Sequence, residues 1–132
     1  MIVVYIAGPI SARTGHKVEE NLRRAEAMAF ELAQLGFAPI CVHSFERFHQ
    51  GVFSAAEWME IDLEILSRCD ACFMVEGWGT SKGSIKENNW CHENGYPVFY
   101  DIKTLETWAE TFEEESCYYP HYSQRKCKQP RT

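Results

Sequence analysis

Apolar positions follow two different rhythms along this chain. Residues 2–7 (Ile2-Val3-Val4-Tyr5-Ile6-Ala7) form an unbroken apolar run rich in β-branched side chains and end at Gly8-Pro9, the pattern of a strand buried on both faces. Val18, Leu22, Ala25, Ala29 and Leu32 then recur at helical spacing, with Gly36 placed to close the helix. Ala38 to Val42 predicts a second short strand. Ser54-Ala55-Ala56-Glu57 has the form of a capping box and opens a helix to about Arg68, followed by a third strand over Ala71 to Val75. Gly77 to Gly83 reads as a loop and Ser84 to Asn94 as a helix closed by Gly95. A fourth strand follows over Pro97 to Tyr100, then a last, acidic helix over Thr104 to Glu115.

Strand and helix alternate with short connections, so the expected fold is α/β: a parallel sheet of about four to five strands with helices on both faces and right-handed crossovers. A chain of 132 residues holds one such domain. Ligands of this architecture bind beyond the C-terminal ends of the strands. Here those ends are Gly8 to Arg13, His43, and Glu76 to Glu87.

Composition narrows the partners. Thirteen basic and nineteen acidic residues give a formal charge of −6, which offers no general electrostatic support for binding duplex nucleic acid. The charge is uneven, because residues 116–132 carry Arg125, Lys126, Lys128 and Arg131 and no acid. That segment reads either as a disordered tail or as a local anion contact, and Tyr118-Tyr119-Pro120-His121-Tyr122 within it as either an interface or a frayed end. No stretch approaches the roughly 18 apolar residues needed to span a bilayer, and the apolar N-terminus lacks a basic flank, so a cytoplasmic protein without a membrane partner is expected. The six cysteines lie mostly in apolar runs, as free thiols of a reducing compartment do. Cys69-x-x-Cys72 with Cys91-His92 lacks a second ligand pair at zinc-site spacing, so no metal is expected.

Two carboxylates stand out by position. On the helix 55–68, Trp58, Ile61, Ile65, Leu66 and Cys69 share one stripe, with Glu57, Glu60, Glu64 and Arg68 roughly opposite. Asp62 falls inside the apolar stripe, where it must be paired, hydrogen-bonded or lining a cleft. A structural hydrogen bond and a catalytic role both satisfy that demand. Glu87 lies one turn into the helix that follows Gly79-Thr80-Ser81-Lys82-Gly83. It is either the partner of Ser84 in a second capping box or an acid beside an anion held at the helix N-terminus.

Three segments together resemble the nucleoside 2-deoxyribosyltransferase superfamily: Tyr5-Ile6-Ala7-Gly8-Pro9-Ile10, Asp62 to Asp70, and Gly77-Trp78-x-x-Ser81-x-Gly83-Ser84-x-x-Glu87. The resemblance spans about residues 2–100, is nearest to small phage and bacterial members, and extends to the 2'-deoxynucleoside 5'-phosphate N-hydrolases. It implies a flavodoxin-like or Rossmann-like three-layer domain over residues 1–115 that cleaves the N-glycosidic bond of a nucleoside or its 5'-monophosphate. By the same resemblance Glu87 is the nucleophile at C1', Asp62 the acid that serves the departing base, and Tyr5 the group that orients Glu87. Gly8, with Pro9 and Ile10, brings backbone close to the sugar or phosphate.

Ser81 and Gly83 occupy the phosphate side in this comparison. Free-nucleoside transferases usually carry an acid at the position of Ser81, whereas a serine donates to a phosphate, so a 5'-monophosphate is the expected substrate. Arg13 is either a second phosphate contact or a solvated loop residue. His43 lies either beside the base or in a satisfied strand-end position. Phe45, Phe48 and Phe53 form either a base-selecting lid or packing over a sheet edge, and Trp78 either closes the site or packs. The loop Pro9 to Gly15 departs from the Gly- and Arg-rich phosphate loop of the hydrolases. Base exchange between nucleosides and non-catalytic nucleotide binding are the alternatives to hydrolysis. The resemblance further implies a homodimer or larger homo-oligomer, and the chemistry requires no organic cofactor.

Overall fold

The computed structural model describes residues 1–116; the basic segment beyond Ser116, with its tyrosines, Cys117 and Cys127, lies outside them. The β-branched run at the N-terminus becomes strand β1 (Val3–Ala7), and its neighbours are β2 (Ala38–Cys41), β3 (Ala71–Met74) and the short β4 (Val98–Phe99). The order across the sheet is β2-β1-β3-β4, and every pairing is parallel. Val3 N–H donates to Asp70 Oδ2 at 2.8 Å, which ties the start of β1 to the approach of β3.

Because β1 and β3 are buried on both faces, alternate side chains feed two separate cores. One face packs Val4, Ile6, Phe73 and Val75 against Ala25 and Leu32 of α1 (Gly15–Gln34) and Leu105 and Ala109 of α5 (Ile102–Ser116). The other packs Tyr5, Ala7, Cys72 and Met74 against Leu66 of α3 (Ala55–Ser67) and Cys91 of α4 (Lys82–Glu93). The result is the three-layer α/β fold expected from the alternation, with four strands. Among the described residues no helix is long and apolar enough to cross a membrane.

Local signals set the helix ends. Thr14 caps α1 by accepting from Lys17 N–H, and Gly36 follows its C-terminus in the left-handed region at φ 95°. The capping box of α3 forms as read, with Ser54 Oγ and Glu57 Oε1 each 3.1 Å from the other's backbone nitrogen. The second capping box does not. Ser81 is extended and its Oγ accepts from Ser84 N–H at 3.2 Å, so α4 starts at Lys82 and Ser84 is already helical. A one-turn 3-10 helix (Trp78–Thr80) occupies the preceding loop.

The aromatic connection after β2 also contains an unforeseen element, the short helix α2 (Val42–Glu46). Arg47, at its C-terminus, clamps it to α1. Its Nε and Nη2 bond both oxygens of Glu26 at 2.9 and 3.0 Å, and Nη1 reaches Glu19 Oε2 at 2.6 Å.

Candidate active site

β1 and β3 are adjacent, yet the chain leaves them in opposite directions across the sheet, so a crevice opens at their C-terminal ends. A cavity of about 560 Å³ lies there, within the roughly 300–1,000 Å³ usual for small-molecule sites. Its walls come from the loop after β1 (Gly8, Ile10, Ser11), from Glu46 of α2, from the connection to α3, from α3 itself and from the start of α4.

Asp62 and Glu87 meet in this cavity. The buried stripe of α3 is Trp58, Asp62, Leu66, with Cys69 beyond the helix, while Ile61 and Ile65 are only half-buried, so the acid stands at the centre of the inward face. On α4 the inward face is Ser84, Glu87, Asn88 and Cys91. Starting that helix at Lys82 places Glu87 in its second turn, too deep to serve as a cap. Asp62 Oδ1, Glu87 Oε2 and Ser84 Oγ are buried without a hydrogen-bond partner among the described residues. Orphaned buried polar atoms are rare in folded proteins and mark sites where a ligand or water completes the bonding.

The electrostatics follow from burial. Loss of hydration pushes the Glu87 carboxyl up to about 8, with the Asp62 charge adding to it and Tyr5 opposing it. Burial alone takes Asp62 to about 6. A third carboxyl, Glu46, is 6% exposed, lines the same cavity and is pushed up to about 7, first by burial and then by Asp62. Such a cluster, shifted by desolvation and mutual repulsion in a cleft, characterises functional sites.

Tyr5 is fully buried in β1 behind Glu87, and burial followed by the Glu87 charge raises its phenol. The phenol and the Glu87 carboxyl are close enough to interact, and hydrogen bonding from Tyr5 opposes the rise in the Glu87 pKa. Tyr5 is not part of the cavity wall.

The helix N-terminus supplies the polar end. Thr80, Ser81, Lys82, Gly83 and Ser84 all line the cavity, and the first N–H groups of a helix attract anions. Gly83 lies close to α3, since a Cβ there would stand 3.3 Å from Met59 Cε, the tip of a flexible side chain. Lys82 was not singled out by sequence; it sits at the first helical position once Ser81 is the cap.

Of the other expected site residues, Gly8 and Ile10 line the cavity, whereas His43, Pro9, Arg13 and Trp78 lie outside its wall. His43 is buried in α2, and its Nε2 lies 3.0 Å from Gly8 O. A carbonyl only accepts, so Nε2 carries the proton and donates, and His43 fixes the turn after β1. Burial lowers its pKa, in keeping with a neutral ring. Gly8 lines the cavity but is also required by packing, because a Cβ would stand 3.1 Å from Val75 Cβ. Pro9 is buried, close to Gly77, and Arg13 is exposed. Trp78 packs on Tyr100 with ring centroids 5.6 Å apart.

The aromatic connection is divided. Phe45 and Phe53 both stand edge-on to Trp58, at 5.8 and 5.1 Å, and so pack on α3. Phe53 and Trp58 line the cavity, while Phe48 is 83% exposed. Among the described residues no group of three or more His, Cys, Asp or Glu side chains is arranged to hold a metal ion, and Cys41, Cys69, Cys72 and Cys91 are free thiols.

No curated protein matches the chain. Residues 2–100, which contain the whole sheet and every residue of the cavity, match a family described as a domain of unknown function, DUF4406, and the protein belongs to that family.

Proposed function

We propose that this protein is an N-glycosidase of the nucleoside 2-deoxyribosyltransferase type that releases the base from a 2'-deoxynucleoside 5'-monophosphate. The observation that carries the reading is the pair of buried carboxyls, Asp62 and Glu87, each with an unpartnered oxygen at one cavity whose far wall is a helix N-terminus. The pair supplies the two groups of a retaining glycosidase, and the helix start accommodates a phosphate.

In this reading the Glu87 carboxylate attacks C1' as the C1'–N bond breaks, and Asp62 gives its proton to the departing base. Water, deprotonated by Asp62, then attacks C1' and frees Glu87 with deoxyribose 5-phosphate. Tyr5 donates to the Glu87 carboxylate and steadies its charged form. Ser81, Ser84 and the N–H groups of α4 hold the phosphate, with Lys82 adding charge.

Burial favours the proton on Glu87, at about 8, over Asp62, at about 6. The reading therefore requires substrate to move a proton from Glu87 to Asp62, which the positive charge developing at C1' promotes. That same order supports a second reading in which Asp62 attacks and Glu87 is the acid.

The test is incubation of the protein with deoxynucleosides and their 5'-monophosphates, followed by chromatography for free base, beside Glu87→Gln and Asp62→Asn. Release from monophosphates alone, abolished in Glu87→Gln, is expected. Transfer of the sugar to an added base points to exchange, and tight binding without release points to a sensing domain. Mass spectrometry of a 2'-fluoro-slowed ester identifies the nucleophile, Glu87 or Asp62.

A further inference from the structure

The cavity has an end that the proposed chemistry does not use. Glu46, Gln50, Gly51, Phe53 and Trp58 line it, and Glu46 follows β2 while α4 follows β3, on the other side of β1. The strand ends run β2, β1, β3 across the sheet, so the cavity carboxyls span it from Glu46, after β2, to Glu87 on α4, after β3. With phosphate at α4 and C1' at Glu87, a base extends past Asp62 and presents its outer edge to Glu46.

Glu46 is placed to read that edge. It is 6% exposed, and among the described residues its carboxyl has no ion pair, although the adjacent Arg47 has two, with Glu19 and Glu26. That clamp on α1 fixes α2 and leaves the carboxyl of Glu46 to the cavity. Phe53, 40% exposed, stands edge-on to Trp58 at 5.1 Å and offers apolar surface to the plane of a ring.

An ionised carboxylate only accepts hydrogen bonds, and its two oxygens match two adjacent N–H donors. Guanine presents N1–H and N2–H side by side on its outer edge. Adenine and cytosine pair one donor with one acceptor there, and thymine sets one donor between two acceptors. We propose that Glu46, with the Phe53–Trp58 wall, is the base-recognition end of the cavity and selects guanine. This rests on the N-glycosidase reading for the orientation of the substrate.

The test is equilibrium binding of the four 2'-deoxynucleoside 5'-monophosphates at pH 8 to the Glu87→Gln protein and to Glu87→Gln/Glu46→Gln, with base release by the unaltered protein measured alongside. A bidentate match discriminates by about tenfold or more, so dGMP is expected to bind at least tenfold more tightly than the others to Glu87→Gln. The amide of Glu46→Gln offers one donor and one acceptor, so the guanine preference is expected to be lost while binding of dAMP and dCMP is gained, a gain that misfolding does not produce. Equal binding of all four, or a guanine preference unchanged in the double variant, overturns the assignment. A guanine preference without base release by the unaltered protein overturns the N-glycosidase reading and leaves the base site standing. Absence of binding by every monophosphate overturns both.

Discussion

Ser81 Oγ accepts the backbone N–H of Ser84 at 3.2 Å, and this one bond decides where the chemistry stands. It starts α4 three residues earlier than a cap at Ser84 would, carries Glu87 into the second turn and opens the helix N-terminus onto the cavity. The proposed function thus joins a structural and a ligand-binding role in one hydroxyl. Ser81→Ala is expected to cost about 1 kcal/mol of stability, the usual effect of deleting a cap, and to weaken binding of a nucleoside monophosphate. Ser81→Asp keeps the cap, so its stability is expected to match the parent while phosphate affinity falls further through repulsion. Denaturant unfolding together with monophosphate titration separates the two roles, and equal phosphate affinity in all three proteins removes Ser81 from the binding site.

The buried acids make stability depend on pH in an unusual direction. Glu87, Glu46 and Asp62 bind protons more tightly in the folded protein, at about 8, 7 and 6, than at their ordinary values of 4.5, 4.5 and 3.8. A raised carboxyl costs nothing while protonated in both states. Its penalty grows as pH climbs above the unfolded value and is complete above the folded one. Glu87→Gln is therefore expected to equal the parent in stability near pH 4.5 and to exceed it, by on the order of a few kcal/mol, near pH 9. Melting curves of both proteins across this range check the prediction, and a constant gap between them excludes a buried titrating Glu87.

Gly8 is held by packing as well as by its place in the cavity. A methyl group there meets Val75 Cβ at 3.1 Å and His43 Nε2 at 3.6 Å, so Gly8→Ala is expected to destabilise the fold by about 1–3 kcal/mol through overpacking. Val75→Gly removes the Cβ that this methyl meets on the β3 side. The double variant is expected to be less destabilised than the two single costs added together, which a double-mutant cycle from urea unfolding measures directly. Additive costs would show that the strain lies elsewhere.

Much of this arrangement is legible in the sequence. β1 and β3 announce themselves because strands buried on both faces must be apolar throughout, and Asp62 is conspicuous because it interrupts a stripe of Trp58, Leu66 and Cys69. Glu87 could be noticed but not placed, since Ser81 and Ser84 are both plausible caps and only the extended backbone at Ser81 separates them. Glu46 escaped because its burial is tertiary: α2 has no side-chain N-cap and is held down by Arg47 across 21 and 28 residues of chain. His43 reads either as a neighbour of the base or as a satisfied strand-end histidine, and its ring bonds Gly8 O. What distinguishes such residues is which neighbour their polar atoms meet, and periodicity carries no information about that.

The roles of the two central acids are separable by kinetics. The proposed step needs one proton shared between Glu87 and Asp62, so release of base, expressed as kcat/KM, is expected to rise through about pH 6 and fall through about pH 8. These limbs belong to the pair as a whole and leave the nucleophile unassigned. The leaving group assigns it. A base that departs without protonation, such as a strongly electron-poor purine analogue, no longer needs the acid but still needs the nucleophile. With Asp62 as acid, the loss in Asp62→Asn is expected to shrink by at least about tenfold on such a substrate, because general acid catalysis is worth about 10²–10⁴. Glu87→Gln is expected to remain inactive on it, because no ester forms. Recovery of Glu87→Gln instead, with Asp62→Asn remaining dead, reverses the assignment and makes Glu87, the carboxyl that binds its proton more tightly, the acid.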